Sequence, residues 1–208
     1  MRIAVLGGTG SFGRALAARL QELGGHEVVI GSRDAERARE TASELGTAAG
    51  ASNEDAVRAV DLAILAVKAD GALATAEAVA GSLGGTPLLS VATAIEFRKG
   101  VGMLPDPEAR SLAERIQDVV SGPVVAGLHS IAAASLGEGA LDEDALVCGD
   151  DAEAKELVLG LADSLVTGRA LDAGPLASAR ALEGLTAVIV NVNRRYRAHA
   201  GIRITGLE

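Results

Sequence analysis

Aromatic residues are nearly missing from this sequence: 208 residues contain no tryptophan, one tyrosine and two phenylalanines. A core must then be aliphatic, and there is no aromatic platform for stacking on nucleic-acid bases. Cysteine is as scarce. A lone Cys148 excludes an internal disulfide and any multi-cysteine metal site, and in "LVCGDD" it reads as the filling of a buried strand end rather than as a nucleophile. Positive charge is in deficit, with 19 Lys and Arg against 28 Asp and Glu and a net charge of −9. General binding to nucleic acid or to a membrane surface is therefore not expected. Long apolar runs are lacking too, since "LTAVIVNV" at 185–192 falls far short of a membrane span. The opening "MRIAVLGG" has no secretory-signal pattern. A cytoplasmic protein without a metal site is the expectation.

What is present is an ordinary folded composition, 49% hydrophobic and 23% charged. Short apolar runs, "RIAVLG" (2–7), "EVVIG" (27–31), "DLAILAV" (61–67) and "TPLLSVA" (86–92), alternate with Ala-rich stretches of helical spacing. A small strand and short helix fit "TAAGASNEDAVRAV", with Asn53 as cap. Residues 97–110 read as a long connection whose end opens a helix at about 108–119. Strands at "PVVAGL" (123–128) and "LVCG", a helix over "DAEAKELVLGLADSL" and a short strand "RALDAG" complete the alternation. A last helix runs from Pro175 to Asn193. This order predicts an α/β fold, a Rossmann-type doubly wound, mainly parallel sheet with a C-terminal helix and arm. The expected division is 1–172 for the sheet domain and 173–208 for the helix and basic arm.

"GGTGSFG" (7–13) follows the first strand and opens the first helix. Gly8, Gly10 and Gly13 fit the G-x-G-x-x-G spacing in the strand–turn–helix context that lets backbone N–H groups and a helix dipole meet a pyrophosphate. The motif alone does not name the nucleotide. The second strand helps. An NAD site usually places an acid near its end, whereas "EVVIGSRDAER" supplies Ser32 and Arg33. A hydroxyl and a planar guanidinium suit the 2′-phosphate of NADP, and Arg37, one helical turn on, adds a second cation. Asp34 reads as the cap of the following helix. The alternative for Arg33 is a solvated surface side chain.

Further blocks are more distinctive: "VVAGLHSI", "VCGDDAEAKELV", "LDAGPLASARALEGLT" and "NVNRRYRAHAGIRITGL". With them the chain resembles, from end to end, the NADPH-dependent F420 reductases, also called F420-dependent NADP oxidoreductases. The resemblance implies reversible hydride transfer between NADP(H) and coenzyme F420, a 5-deazaflavin. It implies that Thr9, Gly10, Ser11 and Phe12 hold the pyrophosphate and that Ser32 and Arg33 hold the 2′-phosphate. Val67 and Ala133 match positions lining the NADP site, and His129 and Ile131 match residues beside the stacked rings. Relatives often carry proline where this chain has Lys68, Val91 and Ala132, which implies an altered cleft. The deazaflavin tail carries a phosphate and glutamate. Arg194, Arg195, Arg197 and Arg203 are candidates to receive it, from the same subunit or from the partner of a homodimer built on the last helix. Two other activities stay open, an NADPH-dependent flavin or ferric reductase and a non-enzymatic NADPH-binding sensor.

Overall fold

The structure is a computed structural model and describes residues 1–105, 110–137, 139 and 141–207. Its centre is an eight-stranded sheet. The strands are β1 (Arg2–Leu6), β2 (Glu27–Ser32), β3 (Ala49–Ser52), β4 (Leu62–Leu65), β5 (Leu88–Ser90), β8 (Val124–Gly127), β9 (Ala145–Gly149) and β10 (Ala170–Asp172). They lie in the order β10-β9-β8-β5-β4-β1-β2-β3. Every ladder is parallel except β8 with β9, which is antiparallel. The expected doubly wound, mainly parallel sheet is the fold observed.

The strands are apolar on both faces because helices cover both. On one side Ile3, Val5, Val28, Ile30, Leu62 and Ile64 pack under α1 (Ser11–Leu23), α2 (Ala35–Leu45) and α7 (Ala152–Leu165). On the other, Ala4, Leu6, Ala63, Leu65 and Leu88 meet α3 (Asn53–Ala56), α4 (Ala69–Leu83), α5 (Leu112–Gln117) and the start of α8 (Ala179–Tyr196). Asp34 caps α2, its carboxylate accepting from the Glu36 and Arg37 backbone N–H groups. The four-residue α6 (Ala133–Leu136) lies between β8 and β9.

Four local expectations are corrected. Ser52, not Asn53, caps α3, its hydroxyl accepting from Asp55 N–H, and Asn53 is the first helical residue. The connection at 97–110 holds an antiparallel hairpin, β6 (Glu96–Arg98) and β7 (Val101–Met103). Its two turn residues, Lys99 and Gly100, have φ of 50° and 83°, as tight hairpin turns require. Asn191 on α8 brackets this hairpin, accepting from Gly102 N–H at 2.7 Å and donating to Gly102 C=O at 2.8 Å. The helix expected at 108–119 begins instead at Leu112, where a capping box of Ser111 and Glu114 starts it; residues 108 and 109 lie outside the described residues. The last segment opens with a 3₁₀ turn, Leu176–Ser178, before α8, which runs three residues past Asn193.

Cys148 sits fully buried in β9, and desolvation pushes its thiol up to about 12. The folded protein should therefore resist alkylation at pH 8 and react once denatured, as a thiol-reagent time course with and without urea would show.

Candidate active site

The turn between β1 and α1 is built by contacts that only glycine allows. Gly7 turns with φ of +76°, and a Cβ there would stand 2.6 Å from Val67 Cγ1. A Cβ on Gly13 would stand 2.5 Å from the Gly7 carbonyl oxygen, so α1 starts in direct contact with the turn. Gly7 N–H and Gly8 N–H both donate to Gly31 C=O, at 2.9 and 3.1 Å, which ties the turn to the end of β2. Gly7 was not singled out from the sequence, where it reads as the last residue of the strand.

At that end of β2, Ser32 is buried and its hydroxyl lies 3.4 Å from the Thr9 hydroxyl. It also accepts from Asp34 N–H at 3.2 Å. Arg33 and Arg37 are exposed, and neither side chain makes an ion pair among the described residues. Two free guanidinium groups thus stand next to a turn rich in N–H donors.

The helix starts around this crevice differ from most of the others; α8, which continues a 3₁₀ turn, is the other start without a side-chain cap. Side chains cap α2, α3, α5 and α7, from Asp34, Ser52, Ser111 and Asp151. No side chain caps α1, α4 or α6, which follow Gly10, Lys68 and Ala132. Their first N–H groups keep their capacity for an anionic or polar ligand.

Between these helix starts lies a cavity of about 200 Å³ lined by Phe12, Val67, Lys68, Val91, Ala92, Thr93, Leu128, His129, Ile131 and Thr186, with Ala66 and Ala69. It opens at the carboxyl ends of β1, β4, β5 and β8, where the strand order reverses about β1. Of the residues named from the sequence, Phe12, Val67, His129 and Ile131 are brought together here. Ala133 is not in the lining but begins α6, which packs on α1. Leu128, left-handed at φ 62°, turns the chain out of β8 and delivers His129 to the cavity.

His129 is 6% exposed and neither ring nitrogen makes a hydrogen bond of ordinary geometry. Desolvation lowers its pKa from 6.5 to about 4, opposed in lesser measure by the Ala92 carbonyl, so the ring is neutral at pH 7. It offers one donor and one acceptor. The sign of the linkage follows from that shift. The folded state binds fewer protons than the unfolded one between pH 6.5 and 4, so this group's stability is full above 6.5 and is lost as pH falls towards 4, by about 3 kcal/mol. Glu143 and Glu183, both raised to about 7 chiefly by desolvation, act oppositely, stabilising below 4.5 and losing that contribution as pH rises to 7. The comparison of His129→Gln with wild type isolates the histidine. Its urea midpoint should fall less than that of wild type between pH 7 and 4.5; parallel curves would refute the assignment.

Two threonines at the site were not found from the sequence. Thr186 on α8 donates to the His129 carbonyl at 2.8 Å, and its hydroxyl lies 3.3 Å from that of Thr93. A polar residue inside the otherwise apolar "LTAVIV" was the available signal. Nearby on α8, buried Glu183 accepts from Leu112 N–H at 2.8 Å and so fixes this helix to α5. Among the described residues no group of three or more His, Cys, Asp or Glu is placed to hold a metal ion. Among the described residues no helix is long and apolar enough to cross a membrane.

The chain is similar to known proteins along its whole length. The family described as coenzyme F420-dependent NADP oxidoreductase matches residues 2–94. An F420-dependent NADP reductase from Methanocaldococcus jannaschii is 36% identical, covering 100% of both chains. One from Methanothermobacter marburgensis is also 36% identical, covering 100% of this chain and 99% of the relative. The chain belongs to the F420-dependent NADP reductase family. A crystal structure from Arthrobacter sp. FB24, described as a candidate F420-dependent NADP reductase, superposes with a TM-score of 0.87 at 30% identity, covering 99% of this chain and 100% of that one.

In this member of the F420-dependent NADP reductases the four C-terminal arginines are outside the cavity lining. Arg194 stacks on Phe97 of the hairpin, 5.1 Å from its ring centre. Arg203 pairs with Asp142. Arg195 and Arg197 are exposed and without an ion pair among the described residues. The arm they belong to is pinned by Asp144, a buried carboxylate that accepts from Ile204 N–H at 2.7 Å and Arg169 N–H at 2.9 Å. Those bonds hold its pKa below the ordinary value.

Proposed function

We propose that this chain transfers a hydride reversibly between NADP(H) and coenzyme F420. The observation that carries the proposal is the buried His129, whose ring nitrogens make no ordinary hydrogen bond, at a mostly apolar cavity beside a glycine turn, in a chain that matches F420-dependent NADP reductases over its whole length.

The residues fit the dinucleotide. Gly8, Gly10 and Gly13, with Thr9, Ser11 and Phe12, cradle the pyrophosphate on the open N–H groups of α1, whose close seat against Gly7 a Cβ at Gly13 would push apart. Ser32, Arg33 and Arg37 hold the 2′-phosphate, and Val67 and Ala133 bound the nicotinamide end. The carboxamide of nicotinamide carries one acceptor and a donor pair, which matches the unused nitrogen pair of His129. His129 and Ile131 orient the two rings, while apolar neighbours exclude water. The rings supply the hydride chemistry; the protein's part is to hold them roughly 3–3.5 Å apart. Arg194, Arg195, Arg197 and Arg203 receive the anionic tail of F420, with residues 173–208 completing that site on the sheet domain of 1–172. Val188, Val192 and Tyr196 leave an apolar stripe exposed on α8, which suits a homodimer of a cytoplasmic enzyme.

The test is a comparison of acceptors. Protein and NADPH are mixed with oxidised F420 or with FMN, and the absorbance of each acceptor is followed. Bleaching of F420 is the expected outcome. Turnover of FMN alone would favour the flavin reductase, and turnover of neither the sensor.

A further inference from the structure

A hydride brings an electron pair, so its arrival places negative charge on the acceptor ring. How far the surroundings stabilise that charge sets much of the barrier. Beside the open N–H groups at the starts of α1 and α4, the side chains around this cavity offer few means. His129 is neutral at physiological pH and brings no positive charge. The Thr186 hydroxyl donates to the His129 carbonyl, and Thr93 is turned towards Thr186. The remaining lining is apolar, with one exception.

Lys68 is the one charged residue in that lining among the described residues. It stands at the head of α4, is exposed, and makes no hydrogen bond or ion pair among the described residues through its side chain, not even with Asp70 in the first turn. Of the other two lysines, Lys155 pairs with Asp172 at 2.9 Å, and Lys99, in the hairpin turn, makes no ion pair among the described residues. What sets Lys68 apart is its place, a free ammonium at the rim of an otherwise uncharged cavity. A cavity of about 200 Å³ has room for a nicotinamide ring. With the nicotinamide inside, the acceptor ring lies across the mouth, within reach of the long lysine stem.

We propose that Lys68 supplies the positive charge of the hydride-transfer transition state, its ammonium facing the acceptor ring. The proposal rests on the reading of this chain as an NADP–F420 oxidoreductase. In the forward direction the C4–H bond of the dihydronicotinamide breaks with both its electrons and a C5–H bond forms on the deazaflavin. NADPH is oxidised to NADP⁺ and the deazaflavin is reduced. The negative charge spreads over the pyrimidinedione end of the ring until a solvent proton joins N1; Lys68 keeps its own proton throughout. Stacked rings displace water from the mouth, which strengthens the attraction beyond that of an open surface pair. The same charge favours acceptors whose rings carry negative charge well.

Lys68→Met, which keeps the stem and removes the charge, and Lys68→Arg, which keeps the charge, test this. Three quantities are measured: the NADP⁺ dissociation constant, the single-turnover rate of F420 reduction at saturating NADPH, and the ionisation midpoint of the F420 ring hydroxyl in the complex with NADP⁺, read from its visible absorbance. Lys68→Met should slow the single turnover about tenfold or more and raise the ionisation midpoint by about one unit. The NADP⁺ dissociation constant should stay within about twofold, and Lys68→Arg should restore most of the rate. An unchanged rate and midpoint would overturn the proposal. So would a loss confined to NADP⁺ affinity, which makes Lys68 a dinucleotide contact. Wild-type protein that passes no hydride to F420 overturns the functional reading and this proposal with it, whereas turnover left intact by Lys68→Met overturns the proposal alone.

Discussion

Gly13→Ala should lower the affinity for NADP⁺ about tenfold or more while the chain stays folded, because each displaced N–H contact to the charged pyrophosphate costs about 1.5–3 kcal/mol. The new Cβ would meet the Gly7 carbonyl oxygen at 2.5 Å and the Gly7 carbonyl carbon and Gly8 Cα at 3.0 Å. All three are backbone atoms, so no side chain can swing aside. Either α1 moves off the turn or the turn opens, and both carry the N–H donors away from the pyrophosphate. The sheet beneath is held by Ile3, Val5, Val28 and Ile30, which lie outside both α1 and the turn. Gly81→Ala, where a Cβ meets nothing within 4 Å, is the control. Titration of both variants with NADP⁺, beside circular dichroism, measures the effect; equal affinities would remove the turn from the binding site.

Arg33→Ala should raise the Michaelis constant for NADPH about tenfold or more, since a charge-assisted hydrogen bond contributes about 1.5–3 kcal/mol. The constant for NADH, which lacks the 2′-phosphate, should hardly move. Arg33 has no protein partner to lose among the described residues, so its truncation leaves no buried group unsatisfied. Ser32 contributes differently, since its buried hydroxyl is already engaged by Asp34 N–H and lies beside Thr9. A similar rise for both dinucleotides would show that Arg33 acts on the fold of the β2–α2 corner instead.

Much of the parallel sheet was legible because its signals are local. β1, β2, β4 and β5 are short aliphatic runs ended by glycine or a polar residue, and the helices between them show their buried stripes directly. What escaped depends on distant partners. The hairpin at 96–103 is hidden in a segment rich in glycine, proline and charge, and its anchor, Asn191, lies far along the chain on α8. The antiparallel direction of β9 is not encoded in "ALVCG" itself. It follows from a connection that, among its described residues, carries only the four-residue α6 where a parallel neighbour would need a full crossover. Asn53 and Ser52 are both good capping residues, and their competition was settled by β3 ending with Ser52 in extended backbone.

The site divides the same way. The glycine turn, Ser32 and Arg33 are read from contiguous motifs. His129 and Ile131 stand out only by resemblance, since a histidine after an apolar strand has no distinctive spacing. Thr186, Thr93 and Lys68 come from three separate elements, and only the folded chain brings them to one cavity. Helical periodicity marks α8 as amphipathic, yet does not say which of its residues arrives beside β8.

The central claim is direct hydride transfer from NADPH to the deazaflavin, and isotope tracing tests it without intermediaries. NADPH carrying deuterium at both C4 positions is incubated with the protein and oxidised F420 in ordinary water, and the reduced product is examined by mass spectrometry and NMR. The account predicts one deuterium per molecule, located at C5 of the deazaflavin. Reduced F420 without deuterium, or no reduction at all, would contradict it.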